Sequence, residues 1–490
     1  MTIVLCMLGG RVLEIAVRVL LARHWGPETF GLITLGITIL SAIAVICFLG
    51  MQTTLTRYVA FYLAKNEHST IKGVLLTGLG IPLFLSLAGA VLMFATANLI
   101  ASFFHEPALV PILKAFALSL PFFVFFRISL AAIRGFGRMF SFGFNSYISR
   151  QLCTLTGLGL ILVLGLKSVI PVQWVFAASW FVVALFSFLV LQNTSKKYLK
   201  TTKSKLLVVE LLAFTWPLIL AHYVHEIRTW ADLFFIEYFY DAAEVGKFQA
   251  MATLARLLNL ILVGFSFAGL PILTKLVSSD HYSELRRLYE TVSNWMLYFA
   301  CPALAYLIFF GNEAIGLFFG SSFKENTLAL SFLAFGFFFH VTAGMIGPVY
   351  NAMKWNKRLL VIDIFGIIAN LTLNFVLVPL YGIIGAAAAT SMSLIFTTTL
   401  SLVMLYRGIG IVPTLLKRPF YPALMLAIGA LCKLIVMSVP EFNDSLVAII
   451  SFIVLVVVSL TIVLNFFGLS PEEKDIIRSL KKRVIPDRNK

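Results

Sequence analysis

Charged side chains are scarce in this sequence. Only 12% of its 490 residues are Asp, Glu, Lys or Arg, whereas 60% are hydrophobic. Soluble domains carry about twice that share of charge. A chain of this composition cannot cover its folded surface with polar groups, which excludes a water-soluble protein. The composition predicts an integral membrane protein, in which lipid surrounds most of the molecule.

Cysteines and catalytic motifs are scarce as well. The five cysteines all lie inside apolar runs without a CxxC pair, so neither a disulfide framework nor a cysteine metal site is indicated. The sequence contains no GxSxG, P-loop, HExxH or DxD pattern. It also has no long loop of the kind that membrane enzymes of glycan assembly use for their chemistry. We therefore interpret the protein as a non-enzyme.

Fourteen apolar windows of membrane-spanning length predict fourteen transmembrane helices. The second is expected to continue past the membrane to about residue 63. The windows cover approximately residues 3–23, 31–51, 73–98, 108–131, 141–166, 172–192, 209–236, 246–273, 290–311, 326–352, 359–380, 383–405, 420–438 and 446–467.

The basic residues of the loops indicate the orientation. With the N-terminus inside, 25 of the lysines and arginines in loops and tail fall on the inner side, and only Arg23, Lys167 and Lys324 fall on the outer side. This asymmetry follows the positive-inside rule. It predicts a multi-pass protein of the cytoplasmic (inner) membrane with both termini in the cytoplasm. Because topology and contact with membrane lipids explain the net charge of +16, no nucleic-acid partner is expected.

A weak internal repeat predicts two lobes. Trp25–Gly31 and Tyr240–Gly246 lie 215 residues apart, and each leads into an apolar helix. Six helices separate them, so the repeat is parallel, as in transporters built from two halves. We predict an all-α polytopic membrane protein of two pseudo-symmetric six-helix lobes plus two C-terminal helices. The boundaries are 1–192 for the N-lobe, 193–208 for a basic cytoplasmic linker, 209–406 for the C-lobe, 407–467 for helices 13 and 14, and 468–490 for a basic cytoplasmic tail.

The charges left inside the first lobe are mostly positive. Arg11, Glu14 and Arg18 share one helix face, and the single acid cannot neutralise both arginines. Each charge at mid-bilayer costs roughly 2.5–3.5 kcal/mol, so such residues usually face a polar cavity or a partner. Snorkelling to lipid headgroups is the alternative. The candidates for a phosphate-binding lumen are Arg11, Glu14, Arg18, Arg57, Arg127, Arg150 and, in the second lobe, Arg256.

The second lobe has a balanced set of intramembrane polar residues. These groups could bind a coupling cation or relay a proton, and hydrogen bonding between helices explains them equally well. The candidates are Glu226, Asp232, Asp363, Asn370, Asn374 and Thr390.

Three segments resemble patterns of the Wzx-type oligosaccharide flippases of the MOP superfamily, which also contains MATE drug exporters and the lipid II flippase. They are Leu21–Gly31 (LARHWGPETFG), Thr56–Leu63 (TRYVAFYL) and Asn370–Thr390, which begins NLTLN and continues through PLYGIIGAA to AT. The resemblance covers nearly the whole chain. It implies two lobes in a V, alternating access and a cationic lumen that holds the (pyro)phosphate of a polyprenyl-linked oligosaccharide.

The resemblance also assigns expected partners. Arg11 and Arg18 match basic positions of helix one in the lipid II branch, with a spacing that differs by one residue. A sodium site at Asp232, Asn370, Asn374 and Thr390 is implied, although Asn374 stands where a carboxylate can occur, and either Na⁺ or H⁺ is the coupling ion to consider. Helices 13 and 14 would add a groove for the lipid tail. A monomer is expected, with polysaccharide polymerase or assembly proteins as further partners.

Two other classes compete with the flippase hypothesis. A MATE-like, cation-coupled exporter of small organic cations would need an acidic cavity, whereas the first lobe is net positive. A membrane enzyme of glycan assembly would need catalytic acids and an acceptor loop, neither of which the sequence contains.

Overall fold

A computed structural model describes residues 2–166, 168–199, 204, 206–412, 414–438 and 444–463. These residues form helices and turns, without any strand in the ranges given. The predicted tail at 468–490 and most lysines of the predicted linker lie outside the described residues. Ten of the described helices are long and apolar enough to cross a membrane, so the predicted number of fourteen is not confirmed.

The helices divide into two compact units, the first formed by Met1–Ala250 with Asn370–Ala386, and the second by Met251–Ala369 with Ala387–Lys490. The predicted lobe boundaries stay a prediction. In chain order the first nine helices are α1 Thr2–Phe48, α2 Met51–Ala64, α3 His68–Phe103, α4 Leu109–Gly135, α5 Met139–Gly143, α6 Arg150–Val163, α7 Val169–Leu199, α8 Val208–Phe239 and α9 Ala242–Ala255. Beyond them lie α10 Asn259–Ser278, α11 Tyr282–Phe309, α12 Gly311–Phe318, α13 Leu328–Thr342, α14 Ile346–Ala352, α15 Asn356–Ile409, α16 Thr414–Lys417, α17 Phe420–Met437 and α18 Asp444–Ile462.

Two of these helices contain a backbone break where the sequence predicts the boundary between two spans. In α1 the break is at Gly26, with φ 77° and ψ 179°. In α15 it is at Gly382, with φ 56° and ψ −134°. Positive φ is readily adopted only by glycine, and the proline after Gly26 also disfavours helical backbone at that residue. Each long helix therefore consists of two helical pieces joined at the glycine.

The predicted extension of the second span is a separate helix. The second half of α1 ends at Phe48, and α2 begins at Met51. Between them Leu49 and Gly50 both have positive φ, which ends the helix. The chain therefore turns before the amphipathic segment that carries Arg57.

One central helix organises each unit. In the first unit α4 packs against α1, α2, α3 and α7. In the second unit α11 packs against α10, α13, α17 and α18. Both helices are mostly buried although each contains a proline, Pro121 in α4 and Pro302 in α11. The two C-terminal helices α17 and α18 thus complete the second unit around α11.

Candidate functional site

The predicted triad of helix one forms as expected. One carboxylate oxygen of Glu14 lies 2.8 Å from Nη1 of Arg11, and the other lies 2.9 Å from Nη2 of Arg18. The Arg11 side chain is 56% exposed, whereas Glu14 and Arg18 are half-buried. Glu14 therefore orients both guanidinium groups while balancing only one of their charges.

Arg150 joins this group from another helix. It acts electrostatically on Glu14, Arg18 and Arg127, and its Cζ lies 4.4 Å from the centroid of the Trp180 ring. The Arg150 guanidinium makes no hydrogen bond or ion pair with any described residue. Cation–π contact with Trp180 fixes its position and leaves its N–H donors available.

Local backbone geometry explains why Arg150 reaches α1. A π-helical turn at Phe144–Ser149 precedes Arg150 and joins α5 to α6. The backbone of this turn packs directly on Gly10, where a Cβ would come within 2.5 Å of the Tyr147 carbonyl oxygen. Because glycine permits this close approach, the turn sits beside the helix that carries Arg11 and Arg18. π turns inside helices are frequent at functional sites.

Arg127 extends the positive cluster along α4. Its side chain is exposed, and the groups that act on it include Glu226 of α8 and Tyr147 of the π turn. Within the first unit Arg11, Arg18 and Arg150 thus interact with Glu14, and Arg127 interacts with Glu226 and Arg150. This net positive, partly accessible group is suited to binding an anion.

A second polar cluster joins α8 to the middle of α15. Asn374 Nδ2 donates a hydrogen bond of 2.8 Å to Asp232 Oδ1, and Asn370 Nδ2 donates one of 3.4 Å to the same oxygen. All three residues are buried, Asp232 being 2% exposed. The amide oxygen of Asn374 faces away from the carboxylate and has no hydrogen-bond partner in the described part of the chain. The two amide donors therefore stabilise the buried carboxylate of Asp232 in this arrangement.

Replacing Asp232 by alanine should lower the free energy of unfolding by roughly 1–3 kcal/mol, because buried amide donors lose their acceptor. Thermal unfolding in detergent would measure the change. Glu284→Ala, at an exposed acid of α11, is the control and should be neutral. If sodium binds beside Asp232, NaCl but not KCl should raise the Tm of the wild type and leave that of Asp232→Ala unchanged. Equal stability of the two variants would contradict the structural part of this prediction.

The remaining predicted residues lie elsewhere. Arg57 is exposed on α2 next to Tyr58 and is not among the groups that act on Arg150. Arg256, Asp363 and Thr390 belong to the second unit, where each is half-buried. The structure therefore brings together Arg11, Glu14, Arg18, Arg127, Arg150 and Glu226 in one cluster, and Asp232, Asn370 and Asn374 in another.

Sequence reasoning missed the supports of the cluster. Trp180 lies on α7 and Tyr147 in the π turn, and no local spacing connects either residue with helix one. The only signal in the sequence was the scarcity of tryptophan, because the chain has just seven and Trp180 falls inside an apolar span. Asn145, in the same turn, is fully buried, and neither atom of its amide has a hydrogen-bond partner among the described residues.

A large apolar cavity lies in the second unit. Its volume is about 890 Å³, and α9 to α12 and α18 supply its lining. Phe265, Phe299, Phe318 and Phe452 are among the residues that face it. Of the two C-terminal helices, α17 and α18, only α18 contributes residues to this lining. A cavity of this kind is suited to an alkyl or isoprenoid chain.

Comparison with known families gives two matches. A family model described as "Polysaccharide biosynthesis protein" matches residues 20–328, which is more than half of the chain. A model described as "Lipid II flippase MurJ" matches residues 248–458. Among curated proteins, the "Probable flippase AglR" of Haloferax volcanii is 23% identical over 188 residues, covering 38% of this chain and 39% of that protein. The chain thus spans less than half the length of this relative.

Solved structures show the same fold. The chain resembles "Lipid II flippase MurJ, inward closed conformation" with a TM-score of 0.74 and 18% identity, covering 97% of this chain and 99% of that one. It also resembles an inward-facing multidrug resistance MATE family transporter of the MOP superfamily, with a TM-score of 0.68 and 13% identity over 82% of this chain and 94% of that one. The predicted all-α polytopic membrane fold is confirmed.

Proposed function

The chain belongs to the polysaccharide biosynthesis protein family, and from that premise we propose that it is a flippase for a polyprenyl-(pyro)phosphate-linked oligosaccharide. It moves this lipid from the cytoplasmic to the outer leaflet by alternating access, for the assembly of cell-surface polysaccharide or glycan. The observation that carries the proposal is the cluster of Arg11, Arg18, Arg127 and Arg150, whose positive charge Glu14 and Glu226 only partly balance.

The cluster supports recognition of the phosphate. A guanidinium donates two parallel hydrogen bonds to phosphate oxygens, a geometry that an ammonium cannot reproduce. Arg150 is the strongest candidate because its donors are not used by any described residue, while Trp180 holds its plane. Glu14 limits the affinity by competing for Arg11 and Arg18, which favours release. Transport then proceeds without covalent chemistry, as expected for a non-enzyme.

The sugar and the lipid tail need different environments. Sugar hydroxyls cannot enter hydrocarbon without losing their hydrogen bonds, so the headgroup must cross beside polar side chains. An isoprenoid tail gains by contact with apolar surface. The cavity bounded by α18, with Phe299 and Phe452 in its lining, supports a tail site on the second unit. Of the two predicted C-terminal helices, the second, which corresponds to α18, supports the expected groove for the lipid tail.

The second cluster offers a candidate site for Na⁺, one of the two coupling ions to consider, the other being H⁺. Asp232 and the amide oxygens of Asn370 and Asn374 offer ligands to Na⁺, provided that the amides turn, because their nitrogens now face the carboxylate. Thr390, the fourth residue of the predicted set, belongs to the second unit. The groups Glu226 and Asp363 stay candidates for proton transfer. Among the described residues no group of three or more His, Cys, Asp or Glu residues is arranged to hold a metal ion.

The cellular setting is part of the same proposal. We place the protein in the cytoplasmic (inner) membrane with both termini in the cytoplasm, on the basis of its loop charges. It acts on its lipid-linked substrate as a monomer, surrounded by membrane lipids, and polysaccharide polymerase or assembly proteins receive the product.

Transport in proteoliposomes tests the function directly. The wild type should turn over a fluorescent polyprenyl-pyrophosphate oligosaccharide from one leaflet to the other, measured by quenching with a membrane-impermeant reagent. It should not export small organic cations such as ethidium, because a positive cluster repels them. Ethidium export without turnover of the lipid would overturn the proposal and favour a MATE-like exporter. Protein-free liposomes and liposomes with an Arg18→Ala, Arg150→Ala double variant are the controls.

A further inference from the structure

A buried acid near the outer end of α8 has no role in the clusters described above. Glu237 is 1% exposed, and neither of its carboxylate oxygens has a hydrogen-bond partner among the described residues. It also forms no ion pair within that part of the chain. The sequence did not single it out, because it lies only three residues before the charged turn that follows α8.

The charged neighbours of Glu237 have the same sign. The groups that act on it electrostatically are Glu106, in the turn between α3 and α4, and Asp241, in the turn between α8 and α9. A further titratable group in the turn after α3 is His105, whose ring centroid lies 6.2 Å from that of Tyr238. Tyr238 also contacts the ring of Phe103. The charged groups that act on this acid are therefore both carboxylates, and the next residue along α8, Tyr238, packs among aromatic rings.

An ionised carboxylate is costly in such a place. Burial removes its hydration, and within the described part of the chain no hydrogen bond or cation replaces that hydration. Glu106 and Asp241 add repulsion between like charges. Binding of one proton removes both penalties at once, and it requires no further ligands.

We propose that Glu237 is a proton-binding site that opens toward the outer side of the membrane and couples transport to an inward proton gradient. The coupling rests on the proposed flippase function, whereas proton binding does not. Both turns that carry the neighbouring acids belong to the side that the loop charges predict as outer. The step is a binding equilibrium in which water outside supplies the proton.

The site has a structural route to the transport machinery. Asp241 Oδ1 accepts a hydrogen bond of 2.8 Å from the Glu244 backbone nitrogen and so caps the start of α9. The first turn of α9 crosses the segment that begins at Pro27, with backbone contact at Gly31 and Gly246. A negative charge on Glu237 repels the capping carboxylate, and protonation relieves that repulsion. Proton binding thereby acts on the crossing of the two repeat segments.

Infrared spectroscopy of the full chain in lipid nanodiscs tests proton binding without any transport. With ¹³C-labelled glutamate, the wild type should show the C=O stretch of a protonated glutamic acid at neutral pH, and this band should vanish at alkaline pH. The band should be absent from Glu237→Gln and present in Glu313→Gln, whose native acid is already paired with Lys433. In Glu237→Asp the isotope shift should be lost, which identifies the residue even if Glu237→Gln does not fold. Absence of the band from the wild type, or its survival in Glu237→Gln, would overturn the proposal; a carboxylate that binds sodium instead gives no such band.

Transport then tests the coupling. In proteoliposomes an inward proton gradient should accelerate turnover of the lipid-linked oligosaccharide by the wild type and by Glu313→Gln, and this acceleration should be lost in Glu237→Gln. Binding of the substrate should be unchanged in all three. Acceleration retained in Glu237→Gln would refute the coupling. Failure of the wild type to turn over the lipid would refute the flippase function and leave the infrared result standing.

Discussion

Replacing Arg150 by alanine should weaken binding of a polyprenyl-pyrophosphate oligosaccharide by about 10- to 100-fold, the loss expected for one charge-assisted hydrogen-bonding group worth 1.5–3 kcal/mol. The reason is that the N–H donors of Arg150 make no hydrogen bond to a described residue, while its Cζ lies 4.4 Å from the centroid of the Trp180 ring. Its side chain is therefore already oriented before the ligand arrives, so little conformational entropy is lost on binding.

The same geometry predicts an order among variants. Arg11 is 56% exposed and shares Glu14 with Arg18, so its removal should weaken binding less than that of Arg150. Arg150→Lys should restore charge without restoring affinity fully, because an ammonium cannot donate in parallel to two phosphate oxygens.

Equilibrium binding in nanodiscs measures these effects. Arg134→Ala is the matched control, since Arg134 is exposed in the last turn of α4 and its guanidinium lies over the Phe142 ring. It should leave the dissociation constant unchanged. Wild-type affinity in Arg150→Ala would mean that the arginine cluster is not the phosphate site.

Gly31→Ala and Gly246→Ala should each destabilise the protein by roughly 1–3 kcal/mol or more, the cost typical of overpacking. A Cβ on Gly31 would lie 3.0 Å from the Gly246 nitrogen and collide with the Ala242 carbonyl group. A Cβ on Gly246 would lie 3.1 Å from the Gly31 nitrogen and collide with the Pro27 carbonyl group. The obstacles are backbone atoms, which cannot rotate away as a side chain can.

The control variants should change stability in the opposite direction. Gly80 and Gly264 are glycines in helices with open space where a Cβ would stand. Alanine there should be neutral or stabilise by about 0.5–1 kcal/mol, because alanine restricts the unfolded chain and favours helix. Thermal unfolding of the four variants in one detergent would compare them. If Gly31→Ala were as stable as Gly80→Ala, the close crossing of the two segments would be refuted.

This crossing gives physical meaning to the sequence repeat. Pro27 and Ala242 differ by the repeat offset of 215 residues, and so do Gly31 and Gly246. Gly31 packs against the Ala242 carbonyl group, and Gly246 packs against the Pro27 carbonyl group. The contacts between the two segments are therefore reciprocal. The sequence revealed the matching segments, but it did not predict that they touch.

Properties that depend on composition and short spacing were determined by the sequence alone. The membrane class follows from the scarcity of charge, and the breaks at Gly26 and Gly382 follow from glycine next to or near proline. The contacts of Glu14 with Arg11 and Arg18 also belong here, because residues three and four apart always face each other on a helix.

Only the tertiary structure decided which distant groups meet. Arg150 reaches Trp180 and the field of Glu14 through the packing of a π turn on Gly10, and Asp232 accepts from Asn374 across 142 residues of chain. The burial of Glu237 without a partner is of the same kind. Helical periodicity tells which face of a helix a residue occupies, but the neighbour of that face depends on packing between helices, and several packings satisfy one apolar pattern.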